Sequence, residues 1–83
     1  MKITLRLFAS LREALGSSVE IIETQAPTLV ALRGELVARG PVWAEQLAAH
    51  RNVRMAIDQV MVRDDAPLHE AAEVAFFPPV TGG

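Results

Sequence analysis

The residues best suited to chemistry are the last six, Pro78-Pro79-Val80-Thr81-Gly82-Gly83. The sequence stops directly after Gly-Gly, so an α-carboxylate is expected at Gly83. A slender end of this kind can present its carboxylate to chemistry elsewhere. Glycine carries no side chain and visits almost any backbone conformation, so Gly82 and Gly83 suit passage through a narrow channel. The two prolines end whatever precedes them, since neither donates a backbone hydrogen bond and each disfavours helix in the residue before it. The competing reading is a frayed terminus, a common state of domain ends. A frayed end requires neither the aromatic pair Phe76-Phe77 nor the rigid Pro-Pro step in front of it.

The elements that must position this tail follow from periodicity. Ile3, Leu5 and Leu7 alternate with Lys2, Thr4 and Arg6, a strand with one buried face. Ser10 with Glu13 has the spacing of a capping box and Gly16 a stop signal, which predicts a short helical turn over residues 11–15. Val19 to Glu23 is a second β-branched run, and Gly16-Ser17-Ser18 before it suggests a hairpin. Thr28 is placed to cap a main helix whose apolar face is Leu29, Leu32, Leu36 and Val37. Gly40-Pro41 breaks it, and Trp43 and Leu47 share one side of a shorter helix over 42–49. Val53, Met55 and Ile57 resume alternation, Asp58-Gln59 suits a tight turn into Val60–Val62, and Asp64-Asp65-Ala66-Pro67 is a further turn. Val74 to Phe77 closes the chain as a strand. Apolar sheet and helix faces must cover one another, so an α+β fold is expected, a mixed sheet packed against one main helix with a second short helix. The two terminal strands are expected to be central neighbours.

Composition bounds the function. Eighty-three residues, 51% hydrophobic, with formal charge −2, describe one folded domain. No cysteine is present, so any sulfur chemistry must use a sulfur atom that the sequence does not encode. No apolar run approaches the roughly 18 residues of a membrane span, and Met1-Lys2-Ile3-Thr4-Leu5 alternates instead of forming a signal region. A cytoplasmic protein with no membrane partner is therefore expected. The slightly acidic balance gives no support for a nucleic-acid partner. His50 and His69 lack a third ligand at metal spacing, so no metal is expected and both are assigned surface or cap roles. Asp64 and Asp65 are read as turn residues and Glu13 as part of the capping box. Arg12 stays open between a partner contact and plain surface.

The segment Val74-Ala75-Phe76-Phe77-Pro78-Pro79-Val80-Thr81-Gly82-Gly83 closely resembles the end of the ubiquitin-like sulfur carriers that form the small subunit of molybdopterin synthase. The resemblance runs through Leu7-Phe8-Ala9, Leu11-Arg12-Glu13, Gly16, Thr28-Leu29 with Leu32, and Met55-Ala56-Ile57-Asp58-Gln59. Asp58 stands where that family usually has asparagine, and Glu70-Ala71-Ala72 replaces its Gly-Asp-type turn. The resemblance implies a β-grasp roll over residues 1–77 and a flexible functional tail over 78–83. It implies that an adenylating activating enzyme uses ATP on the Gly83 carboxylate, that a persulfide donor protein supplies sulfur, and that Gly83 becomes a thiocarboxylate. The carrier would then dock on the large synthase subunit, in a heterotetramer, and give its sulfur to cyclic pyranopterin monophosphate. No bound cofactor is expected on this chain, and catalytic acid–base groups would belong to the partners.

In that reading Thr81, Gly82 and Gly83 thread the partner's channel, while Pro78 and Pro79 aim the tail outward. Successive strand residues face opposite ways, so Val74 and Phe76 belong to the core while Ala75 and Phe77 face out. Phe8 opposes the Ile3/Leu5/Leu7 face and Ala56 opposes Met55. An exposed stripe of Phe8, Ala56, Ala75 and Phe77 is therefore expected as the partner interface. Two other functions remain open. One keeps the Gly-Gly chemistry but delivers sulfur to thiamine thiazole synthesis or tRNA thiolation; Phe-Phe-Pro-Pro and the Trp43 segment favour the molybdopterin destination. The other is a ubiquitin-like binding module with an idle carboxylate. A carrier that visits successive partners is expected to be monomeric by itself.

Overall fold

A computed structural model describes residues 1–78. The chain runs β1 (Lys2–Leu7), α1 (Ala9–Leu15), β2 (Val19–Glu23), α2 (Leu29–Val37), α3 (Pro41–Leu47), β3 (Arg54–Ile57), β4 (Val60–Val62) and β5 (Glu73–Phe77). These strands form one sheet in the order β2-β1-β5-β3-β4. β1 and β5 are parallel, with Leu5 beside Val74 and Leu7 beside Phe76, and the other neighbours are antiparallel. The sheet is mixed and the helices pack against it, the expected β-grasp roll, with the first and last strands adjacent at its centre.

The inner face of β1 presents Ile3, Leu5 and Leu7, that of β5 Val74 and Phe76, and α2 covers them with Leu29, Leu32 and Leu36. All eight are at most 2% exposed, so this is the dry centre of the domain. Thr28 caps α2 as expected, its Oγ1 accepting from the Ala31 N–H at 3.3 Å. Two more N–H groups at that end, of Leu29 and Val30, donate to the carbonyls of Ala66 and Asp64. The Asp64–Pro67 turn thereby satisfies donors that a helix start leaves unpaired. Asp58 and Gln59 both adopt positive φ, 52° and 68°, the geometry of a two-residue hairpin turn between β3 and β4.

Two local expectations are corrected. Ser10 is not a cap: α1 begins at Ala9 with Phe8 as its extended N-cap residue, and no side chain caps it. The Phe8 N–H donates to Phe76 O at 3.3 Å, so β1 pairing holds Phe8 extended until the helix starts. Ala9 then turns the chain with φ of 51°, leaving Ser10 inside the first turn and Glu13 exposed without a capping partner. Gly16 does end the helix, in the left-handed conformation at φ 72°, its N–H on Arg12 O. Residues 16–18 form no tight hairpin either. β1 and β2 are antiparallel neighbours, but the whole of α1 lies in their connection.

Candidate functional site

β5 is held by β1 on one side and β3 on the other, and it delivers the chain to Phe77 and Pro78 at one end of the sheet. A strand paired on both sides is a rigid mount for whatever follows. Phe76 lies in the core with no exposure, while Phe77 is on the opposite face and half-buried. The Phe77 ring stacks on Phe8, centroids 4.6 Å apart and planes 9° from parallel. Phe8 in turn lies under the Arg6 guanidinium, 5.6 Å from the ring centre. The root of the tail is thus flanked by an aromatic pair fixed by its own neighbours.

The outer face around this pair is a shallow groove of about 370 Å³, lined by Phe8, Ala56, Ala75 and Phe77 with Arg6, Met61 and Glu73 among its walls. All four residues expected at the interface therefore share one surface feature. The expectation that all four are exposed is corrected: Ala56 and Ala75 are only 3% and 7% accessible. They pair across β3 and β5, and their single methyl groups lie below the longer side chains of Arg6, Met61 and Glu73. They form the floor, and the aromatic rings and Met61 form the rim.

Met61 escaped the sequence reading. It sits across the hairpin from Ala56, is 51% exposed, and borders a second depression with Arg54, Phe77 and Pro78. The available signal was parity, since Ala56 faces outward and its cross-strand partner must do the same. Pro79, Thr81, Gly82 and Gly83 lie outside the described residues. Arg12 is exposed on α1 and in no ion pair among the described residues.

Arg33 also went unnoticed, although it falls on the buried face of α2 beside Leu32 and Leu36. Its Nε donates to Leu47 O at 2.7 Å, and its Nη2 donates to Ala48 O at 2.7 Å and Arg51 O at 2.8 Å. Burial lowers the guanidinium pKa, partly opposed by Asp64. Its role is to satisfy carbonyls at the end of α3 and to fix the segment leading into β3.

His69 is tied to the β3–β4 turn. Its Nε2 lies 2.7 Å from Asp58 Oδ2 and its Nδ1 2.9 Å from Glu70 O, while Asp58 Oδ1 accepts the Glu73 N–H at 3.0 Å. Both partners of the ring are acceptors, so both ring nitrogens donate only in the imidazolium form. The Glu70 carbonyl, and then Asp58, raise the His69 pKa; the Glu73 N–H, and then His69, lower that of Asp58. This clasp fixes the entry to β5, at the end of the strand away from the tail. Among the described residues no group of three or more His, Asp or Glu side chains is placed to hold a metal ion. Among them also, no helix is long and apolar enough to cross a membrane.

Comparison with known proteins agrees with this geometry. The ThiS family profile matches residues 5–83. The molybdopterin synthase sulfur carrier subunit of Escherichia coli is 41% identical over 76 residues, covering 92% of this chain and 93% of that protein. The subunit of the same name from Haemophilus influenzae is 36% identical over equal coverage. The solution structure of the Haloferax volcanii HVO 2177 protein superposes with a TM-score of 0.84 at 25% identity, spanning 100% of this chain and 87% of that one. The chain belongs to the ThiS family of ubiquitin-like sulfur carriers.

Proposed function

We propose that this protein carries sulfur as a thiocarboxylate on Gly83 and donates it in molybdopterin synthesis, as the small subunit of a molybdopterin synthase in the cytoplasm. The carrying observation is the mount: a central strand ends at Phe77-Pro78 beside an aromatic-rimmed groove, directly before a sequence closing in Thr81-Gly82-Gly83. The 41% identity to a protein named for that role supports the molybdopterin destination.

A carboxylate is a poor acyl electrophile because its leaving group would be oxide. An adenylating partner attaches AMP from ATP to Gly83 and releases pyrophosphate, giving a mixed anhydride. The terminal sulfur of a partner's persulfide attacks the acyl carbon and expels AMP, and a thiol then cleaves the resulting acyl disulfide to leave the thiocarboxylate. The groove docks on the large subunit, and Pro78 and Pro79 direct Thr81, Gly82 and Gly83 into its channel. Sulfur passes there to cyclic pyranopterin monophosphate. The chain's contribution is placement, which turns a bimolecular encounter into a local one; its partners supply the acid–base groups.

Reconstitution tests the destination. Thiocarboxylated protein mixed with the large synthase subunit and cyclic pyranopterin monophosphate is expected to yield molybdopterin. Sulfur transfer to a thiazole precursor or a tRNA-thiolating enzyme, with no molybdopterin formed, would assign the carrier to those pathways instead.

A further inference from the structure

Charge on the outer face is divided along the strands. At the end where β5 emerges, Arg54 stands beside Phe77 in the β3–β5 register, and Arg63 directly follows β4. Both are exposed, and both line one cleft with Val53, Met55, Met61 and Val62. Arg54 and Met61 also border the neighbouring depression that reaches Phe77 and Pro78. Neither arginine is in an ion pair among the described residues, whereas Arg6, deeper on the same face, lies 3.7 Å from Glu73. Asp58, Glu70 and Glu73 gather at the opposite end of β5, where Asp58 and Glu70 engage His69 and the Lys2 N–H. Asp64 and Asp65 follow Arg63 in sequence and are exposed, and neither lies within ion-pair distance of it; Asp64 acts on Arg33. Beside the exit of the tail, then, stand two guanidinium groups that make no ion pair among the described residues, around exposed Met61 and half-buried Phe77.

Guanidinium groups recognise carboxylates with planar, paired hydrogen bonds, and an apolar centre with a charged rim is the anatomy of a protein interface. We infer that Arg54 and Arg63 form the charged rim of the docking surface and take a carboxylate-bearing protein segment beside the mouth of the channel that receives the tail. This rests on the docking reading above and adds the chemistry of the partner. Such a rim orients the approach, because the acidic end of the sheet is repelled by the surface that attracts the tail end.

Association with the large subunit of molybdopterin synthase provides the test, measured at about 50 mM and about 500 mM salt, where screening differs several-fold in range. Arg54→Glu with Arg63→Glu is expected to slow association about tenfold at low salt, with the deficit shrinking towards twofold at high salt and dissociation little changed. Phe77→Ala is expected to act on dissociation instead. Arg54→Gln with Arg63→Gln, a gentler change should the reversal impair folding, is expected to give an intermediate slowing. An association rate equal to the parent's at low salt for the double variants, with Phe77→Ala still weakening the complex, would overturn the charge inference and leave the docking reading standing. Silence of all three variants would remove both. Salt-sensitive self-association of the parent, abolished by the arginine changes, would also overturn the inference by assigning the cleft to the acidic end of a second copy.

Discussion

Adjacent phenylalanines on β5 should respond differently to truncation. Phe76 has no exposure and lies between Leu7 of β1 and Met55 of β3, so Phe76→Ala opens a cavity in the dry core. A buried Phe→Ala change costs about 3–5 kcal/mol. An 83-residue domain has roughly 4–12 kcal/mol of total stability, so this single change removes a large part of it. Phe77 is half-buried and stacks on Phe8. Its truncation forfeits about 1 kcal/mol of apolar burial and about 0.5–1.5 kcal/mol of ring stacking. At an unfolding entropy of about 2.1 cal/mol/K per residue, each kcal/mol moves Tm by about 6 °C in a domain of this size. Thermal unfolding should therefore show a fall of about 20 °C or more for Phe76→Ala and about 10 °C for Phe77→Ala. Titration against the large subunit should show the reverse emphasis, with Phe77→Ala weakening binding by more than about 1 kcal/mol, or fivefold. Equal losses of Tm for the two variants, together with unchanged affinity for Phe77→Ala, would refute the assignment of the two faces.

Other outcomes follow from the same structure. The raised His69 pKa stabilises the fold fully below its ordinary value of 6.5, and that support is lost as pH rises through the raised value. The lowered Asp58 pKa stabilises above its ordinary 3.8, and that support is lost as pH falls through the lowered value. The Tm gap between the parent and His69→Gln should be widest near pH 4–6.5 and shrink on both sides; a flat gap would show that the clasp is not ionic. Ala71 adopts φ of 66°, a left-handed conformation that costs a residue with a Cβ about 1 kcal/mol, so Ala71→Gly should raise stability by up to that amount in urea unfolding. A loss of stability would show that chain entropy outweighs the relieved strain. Deleting Gly83 should leave circular dichroism and Tm unchanged yet abolish sulfur delivery, because it withdraws the acyl carbon by about 3.3–3.6 Å.

Much of this architecture was legible because its signals were local. The alternation of Ile3, Leu5 and Leu7, the Thr28 cap and the Asp58-Gln59 turn each express a rule acting over a few residues. The early helix was misread at its start because Phe8 is held by a partner strand some seventy residues away in sequence, which no capping motif records. Left-handed Ala9 and Ala71 were invisible for a related reason: Ala71 is held by its N–H on Lys2 O, and Ala9 follows Phe8, whose N–H is on Phe76 O, where glycine would be the usual signal. On the outer face, strand parity found the groove's residues but not their depth. Exposure of Ala56 and Ala75 depends on the lengths of the side chains beside them, set by register across four strands.

The proposed carriage of sulfur on Gly83 is open to direct measurement. It is tested most directly by the intact mass of the chain after incubation with its adenylating enzyme, ATP and a persulfide donor. The expected result is a gain of about 16 Da, sulfur replacing oxygen, confined to the C-terminal peptide and dependent on ATP. An unchanged mass, under conditions in which the same enzyme and donor charge another sulfur carrier, would contradict it.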